Sequence, residues 1–309
     1  MTGFRMQLLA GLSVALLYCG ATECRAEAEA EEGPTEKVAK YRLRYKFEAG
    51  QWVRFRSTHK SSITTHFRQV QETATSRTTT GKHYRVISVR KDGSAILEMV
   101  IDWVDASIQF GDTPPTTYDS RRKDVEPPDQ LRDMAATIGK PTARIEFASH
   151  GKLLGNALLA EAPKNQTNQK LNADANFLVI FPETEIVVGQ GWHDDYTVPV
   201  TVPPARKLKK AIKLRRSYKL LSVDGNIATI SMKTSVVTPV QAPQVRAQLI
   251  QRQPAGTITF DLERGVIASR EYKTEKSEFG IYGNESSLHV VSSNSEKFVE
   301  GAEVAAKSE

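Results

Sequence analysis

The stretch Ala95-Ile96-Leu97-Glu98-Met99-Val100-Ile101-Asp102-Trp103-Val104 decides the fold class of this chain. Ala95, Leu97, Met99, Ile101 and Trp103 form one apolar face, and the alternate residues form a mixed one. Side chains on a strand point to opposite faces with period two, so this is the pattern of a strand near the middle of a sheet. Ala228, Ile230, Met232 and Val236 repeat the spacing. Asp92-Gly93 and Asp224-Gly225 supply the turn chemistry of hairpins. Working outward, strand patterning runs from Tyr41 to about Val299. Helix signals are few. Pro128 and Asp129 open a short helix with Leu131, Met134, Ala135 and Ile138 on its apolar side, stopped by Gly139. Leu153 to Ala162 is a weaker second candidate.

Three patterns occur twice in the same order. Gly50-Gln51-Trp52 is matched by Gly189-Gln190-Gly191-Trp192. Tyr84-Arg85-Val86-Ile87-Ser88-Val89 is matched by Tyr218-Lys219-Leu220-Leu221-Ser222-Val223, each followed by Asp-Gly. Ile145-Glu146-Phe147 is matched by Ile258-Thr259-Phe260, with Gly151 and Gly265 after them. The spacing is far longer than that of solenoid repeats, so the chain is expected to be mainly β, with two related lobes of long twisted antiparallel strands and one or two short helices. Trp52 and Trp192 are expected to be equivalent anchors. The first lobe spans 41–160 and the second 161–299.

On these motifs the chain resembles an uncharacterised family of exported, β-rich bacterial proteins. The shared features are the Gly-Gln turn ahead of a tryptophan, the Tyr…Asp-Gly hairpin, and the short helix leading into Ile-x-Phe…Gly. The resemblance implies a secreted β-rich protein and assigns no chemistry. A looser fold-level likeness is to periplasmic lipoprotein carriers, whose curved antiparallel sheet cups a lipid.

The start of the chain points the same way. Arg5 precedes an apolar run, Leu8 to Leu17, and small residues follow, as in a secretory signal peptide cut near Ala26. The run is too short to span a bilayer, and no later apolar run approaches that length, so no transmembrane segment is expected in the mature chain. An exported protein in the periplasm or outside the cell is expected. Cys19 and Cys24 both lie in the leader, so the mature chain has no disulfide to rely on. Residues 27–40 are acidic and read as a disordered tail, as do 300–309. The 309 residues carry a net charge of +6 with 39% hydrophobic content, which excludes wholesale disorder.

No two of His59, His66, His83, His150, His193 and His289 share a metal-ligand spacing, so neither metal nor cofactor is expected. There is no Gly-x-Ser-x-Gly and no phosphate loop, and Ser57 and Lys60 of the formal Ser-x-x-Lys point to opposite faces of a strand. No catalytic residue is assigned. The one acid–base cluster is His193-Asp194-Asp195, which alternation splits between two faces; a hydrolase using His193 and nearby carboxylates is the enzymatic alternative.

Two binding features stand out. Arg206 to Arg216 holds seven cations, with Lys207, Lys209, Lys213 and Arg215 on one side of a strand. This stripe suits an anionic lipid or polysaccharide, or serves as a lysine-rich edge against aggregation. Nucleic acid is not expected, since no aromatics interleave the cations. In the other, Val53 and Phe55 continue on one face into Ser57, His59 and Ser61, so an apolar strand face turns polar. That is either a wet cleft between lobes or a hairpin projecting past the core. The leading reading is an exported, non-catalytic binding protein for an apolar or amphiphilic envelope component or an envelope protein partner, ahead of a structural envelope protein without a ligand. An apolar cavity would favour a lipid carrier.

Overall fold

The structure is a computed structural model that describes residues 39–158, 178–201 and 209–301. The expected leader, nearly all of the acidic tail and Lys207 lie outside them. Among the described residues, twelve strands form one antiparallel sheet. The first half contributes β1 (Trp52–Phe67), β2 (Val70–Val89), β3 (Ala95–Phe110), β4 (Thr116–Asp119), β5 (Pro141–Phe147) and β6 (Leu153–Leu158). The second contributes β7 (Gly191–Thr201), β8 (Lys209–Asp224), β9 (Ile227–Val236), β10 (Ala255–Asp261), β11 (Val266–Phe279) and β12 (Ser286–Val299). The order is β6-β5-β3-β2-β1-β12-β11-β10-β9-β8-β7, with β4 added on β3. Each half is a meander, and β1 joins them by pairing along β12 from Arg54–Val299 to Phe67–Ser286. The expected second helix at Leu153 to Ala162 is instead the edge strand β6 as far as Leu158, because pairing with β5 satisfies its backbone. The first helix is present in shortened form: a 3-10 turn, Asp129–Leu131, runs into α1 (Arg132–Ala135). A second, α2 (Pro243–Leu249), starts on its proline and ends in a 3-10 turn, Ile250–Arg252.

The internal duplication is visible bond by bond. Gly50 and Gly189 both adopt positive φ. The backbone N–H of Gly50 donates to Val86 O, and that of Gly189 to Leu220 O. Gln51 Oε1 accepts from the Glu48 N–H at 3.1 Å, and Gln190 Oε1 from the Val187 N–H at 3.2 Å. Each second strand then bulges at the same place, between Val86 and Ser88 and between Leu220 and Ser222.

One residue breaks the symmetry and corrects the expected equivalence of the tryptophans. The second turn carries the extra Gly191, and a one-residue shift exchanges the faces of a strand. Trp192 therefore pairs with Tyr218 and faces the core, where Val53 pairs with Tyr84 in the first half. Trp52 pairs with Arg85, lies on the outer face and is 45% exposed. A second departure lies in β3. Gly81 pairs with Trp103 but Lys82 pairs with Ile101, so Asp102 is a bulge. Beyond it the buried positions become Val104 and Ala106, and Trp103 does not continue the face of Leu97 and Met99.

Both halves fill one main core, including Phe55, Tyr84, Leu97, Ile145 and Phe147 from the first and Tyr218, Leu220, Ile230, Ile258 and Phe260 from the second. Leu43, Tyr45 and Phe47 of the leading segment complete it. Smaller clusters sit under α1, around Val104 and Leu131, and under α2, around Ile212, Leu214, Val245 and Leu249. Strands β11, β12, β1 and β2 run on past the last pairing of β10 (with Lys273) and of β3 (with Ala74). The hydroxyl-rich stretch after Ser57 runs from the span still paired through β2 with β3, where Thr58 bonds Thr79, to the projecting end, where Thr64 bonds Thr73.

Gly151 shows how closely the backbone at Val179 and the ring of Tyr45 approach the turn after β5. Its φ is 90°, and an added Cβ would lie 2.1 Å from Val179 O. Gly151→Ala is expected to cost about 2–4 kcal/mol, from the left-handed backbone and the clash together. Gly50→Ala, with open space around it, should cost about 1 kcal/mol. Denaturant unfolding of the two variants compares them; equal losses would refute the close approach.

Candidate functional site

The inner face of the sheet changes character along its strands. On β1 the alternation carries Val53 and Phe55 into the core, then Ser57 and His59 into a cavity of about 440 Å³. Lys82 and Tyr84 of β2, Arg270 and Thr274 of β11 and Glu296 of β12 share that cavity. Its remaining wall includes the apolar groups of Met99, Ile145 and Pro254. A second cavity of about 280 Å³ adjoins it through Gln251, Pro254 and Tyr272, and reaches Tyr196, Arg216, Tyr218 and Met232. The segment α2 to Arg252 contributes Gln248, Gln251 and Arg252 to these walls. It is held in place by burial of Val245, Leu249 and Ile250, and by Gln248, which bonds both backbone groups of Thr201.

The cavity is bordered by buried charge. Arg270 and Glu296 face each other across β11 and β12. Arg270 Nε donates to Glu296 Oε1 at 2.8 Å, and Lys82 Nζ lies 2.5 Å from Glu296 Oε2. Burial alone would raise the Glu296 carboxyl, but the charges of Arg270 and Lys82 outweigh it and hold it below its ordinary range. Burial lowers Lys82, with Glu296 opposing. The set carries two cations and one carboxylate.

A second buried pair lies by the smaller cavity. Asp194 of β7 faces Arg216 of β8, with Nη1 4.0 Å from Oδ2. The Arg216 guanidinium also stacks 4.2 Å from the Tyr196 ring centre. Asp194 Oδ1 is buried without a hydrogen-bond partner. Burial raises its carboxyl above the ordinary value, against the pull of Arg216.

The expected site residues divide. His59 lines the cavity, where burial lowers its proton affinity and favours the neutral ring. Ser61 sits two residues further along the same strand, outside the cavity lining, with its Oγ buried and lacking a partner. Lys209, Lys213 and Arg215 do fall on the outer side of β8, as the strand reading requires. Two members of the expected stripe are already engaged, since Lys213 and Arg215 both bind Asp195, at 2.7 Å each. These two cations hold the Asp195 carboxyl well below the usual carboxylate range. His193 is exposed and shares its face with Asp195, while Asp194 points the other way, so the three do not converge.

Lys82, Arg270, Glu296 and the inward Arg216 were not singled out from the sequence. A readable signal existed for Arg216. It occupies an even position between Ile212, Leu214, Tyr218 and Leu220, all of which are buried. A charge on an apolar face needs a partner there.

No family model and no curated protein matches the chain. Among solved structures, it aligns with an outer membrane channel of Pseudomonas putida F1 at 6% identity and a TM-score of 0.25, over 87% of this chain and all of that one. It aligns with DynF of the dynemicin biosynthesis pathway of Micromonospora chersina at 5% identity and a TM-score of 0.19, over 90% and 92%. For OccK7 (OpdD) of Pseudomonas aeruginosa the values are 9% and 0.19, over 81% and 99%. Likeness at this level carries no argument about function. Among the described residues, no helix is long and apolar enough to cross a membrane.

Proposed function

We propose that the protein is exported and binds, without chemical conversion, a small amphiphile with an anionic head. The observation that carries this reading is the placement of Lys82, Arg270 and Glu296 at the wall of a cavity that also presents Met99, Ile145 and Tyr84. Burying three charges is costly unless each is compensated, and one positive charge here exceeds the carboxylate. A carboxylate or phosphate head placed by Lys82 and Arg270 would balance it, with a short apolar body against the methionine, isoleucine and tyrosine. The mixed lining departs from the wholly apolar cavity expected of a lipid carrier, so the ligand brings polar atoms of its own.

The test is binding of a dansyl-labelled undecanoic acid to the full chain, beside the corresponding primary amide. The acid is expected to bind with a blue-shifted emission and the amide more weakly. Lys82→Met keeps the side-chain length and leaves Arg270 paired with Glu296. It should weaken the acid by about tenfold or more, the value of one charged hydrogen bond. Equal binding of acid and amide, or no binding of either, would overturn the proposal.

A further inference from the structure

The opposite face of β1–β3 holds a separate groove of about 440 Å³, and its construction is specific. The bulge at Asp102 breaks the alternation of β3 and brings Trp103 onto the outward position beside Gly81. Gly81 makes room for it, since an added Cβ would lie 2.1 Å from the Trp103 indole nitrogen. The same bulge sets Asp102 Oδ1 2.7 Å from Nδ1 of the buried His83. The other face of that histidine meets Trp52, with ring centres 4.4 Å apart. The groove thus has two indoles as walls and an oriented imidazole as floor. Bulges recur where a side chain must be re-aimed for function.

Its charge is positive and only partly compensated. Arg121 is paired with Asp119, and Asp102 is in hydrogen-bond contact with His83 Nδ1. Arg54, Arg56 and Lys123 also line the groove and have no carboxylate partner among the described residues. Arg54 lies 5.2 Å from the Trp52 ring centre, and Arg121 and Arg56 lie 4.6 and 5.6 Å from that of Trp103. Stacking orders a guanidinium while leaving its N–H edge for an oxyanion. An inorganic anion alone would have no use for the indoles. A sugar ring does, because one of its faces is a row of C–H bonds that packs on an aromatic plane.

We propose that this groove is a second binding site, for an acidic sugar whose ring lies on the tryptophans and whose carboxylate or phosphate is held by Arg54 and Arg56. The anionic partner expected for the β8 stripe is assigned here instead, where the cations lack carboxylates. The groove opens on the other face of the sheet from the Arg270–Glu296 cavity; Lys82 borders both, and the groove's tryptophans, Arg54 and Arg56 belong to it alone, so variants of these separate the two readings.

Two of the three tryptophans of the chain line the groove, so intrinsic fluorescence reports on it directly. The full chain is titrated at low salt with trigalacturonate and with glucose 1-phosphate, which separate the carboxylate and phosphate sources. Maltotriose, inorganic phosphate and adenosine monophosphate serve as comparisons. Saturable quenching by at least one acidic sugar is expected, weakened by added salt, with maltotriose and inorganic phosphate each about tenfold weaker or worse. Arg54→Gln/Arg56→Gln should abolish the response with an unchanged melting temperature, and His59→Ala, in the inner cavity alone, should keep it. The proposal is overturned if neither acidic sugar quenches, if maltotriose or phosphate binds as tightly, or if the double variant binds like wild type. Tighter binding of adenosine monophosphate than of either sugar would assign the groove to a nucleotide and overturn it as well.

Discussion

Glu296→Ala is expected to lower stability by about 3–5 kcal/mol, read as a fall in the denaturant midpoint of the full chain. The carboxylate is the common partner of Arg270 and Lys82, and its removal leaves two cations facing each other beneath the cavity. Their attraction to Glu296 need not make the wild-type arrangement better than an apolar one. The cost of breaking it comes from leaving charge buried and uncompensated. Acid should act through the same carboxylate. Its folded value lies below the ordinary 4.5. Its contribution is therefore fully present above that value and is lost as pH falls through the folded one. The variant should lack this acid-side component. A loss under about 1 kcal/mol would mean that water reaches the two cations.

Trp192→Ala is expected to cost about 3–5 kcal/mol, whereas Trp52→Ala should cost about 1 kcal/mol or less. Trp192 stacks on the buried Tyr218 with ring centres 5.3 Å apart, and its indole N–H donates to Ile180 O at 2.8 Å. Trp52 lies on the outer face beside His83. Unfolding both variants by denaturant measures the difference. Equal costs would contradict the exchange of faces that Gly191 produces. The same comparison bears on binding, because Trp52→Ala should cripple the outer groove while leaving the fold nearly untouched.

The inner cavity and the outer groove use one device in two ways. A strand presents one face to each side, so β1 supplies Ser57 and His59 to the cavity and Trp52, Arg54 and Arg56 to the groove. Neither site needs a dedicated loop of its own for most of its residues.

What was legible in the sequence was whatever follows from local period and local turn chemistry. The strand alternation around Leu97 and Ile230, the Gly-Gln turns, the helix between Asp129 and Gly139, and the duplicated hairpins depend on neighbours a few residues away. They appear in the structure, the helix shortened to Asp129–Ala135 and the face around Leu97 broken beyond Ile101. The alternation of His193, Asp194 and Asp195, and the outward Lys213 and Arg215, follow from the same period. Tertiary structure alone decided the rest. Which strand lies beside which brings Lys82, Arg270 and Glu296 together from positions more than two hundred residues apart in the extreme case. Lys213 and Arg215 share Asp195 across the strand, and a cross-strand neighbour has no signature in the stripe itself. The bulge at Asp102 is the sharpest case. Nothing in the apolar run announces it, since the residues on both sides still alternate. Only the ladder between β2 and β3 shows one residue left over, and that residue decides that Trp103 looks outward rather than into the core.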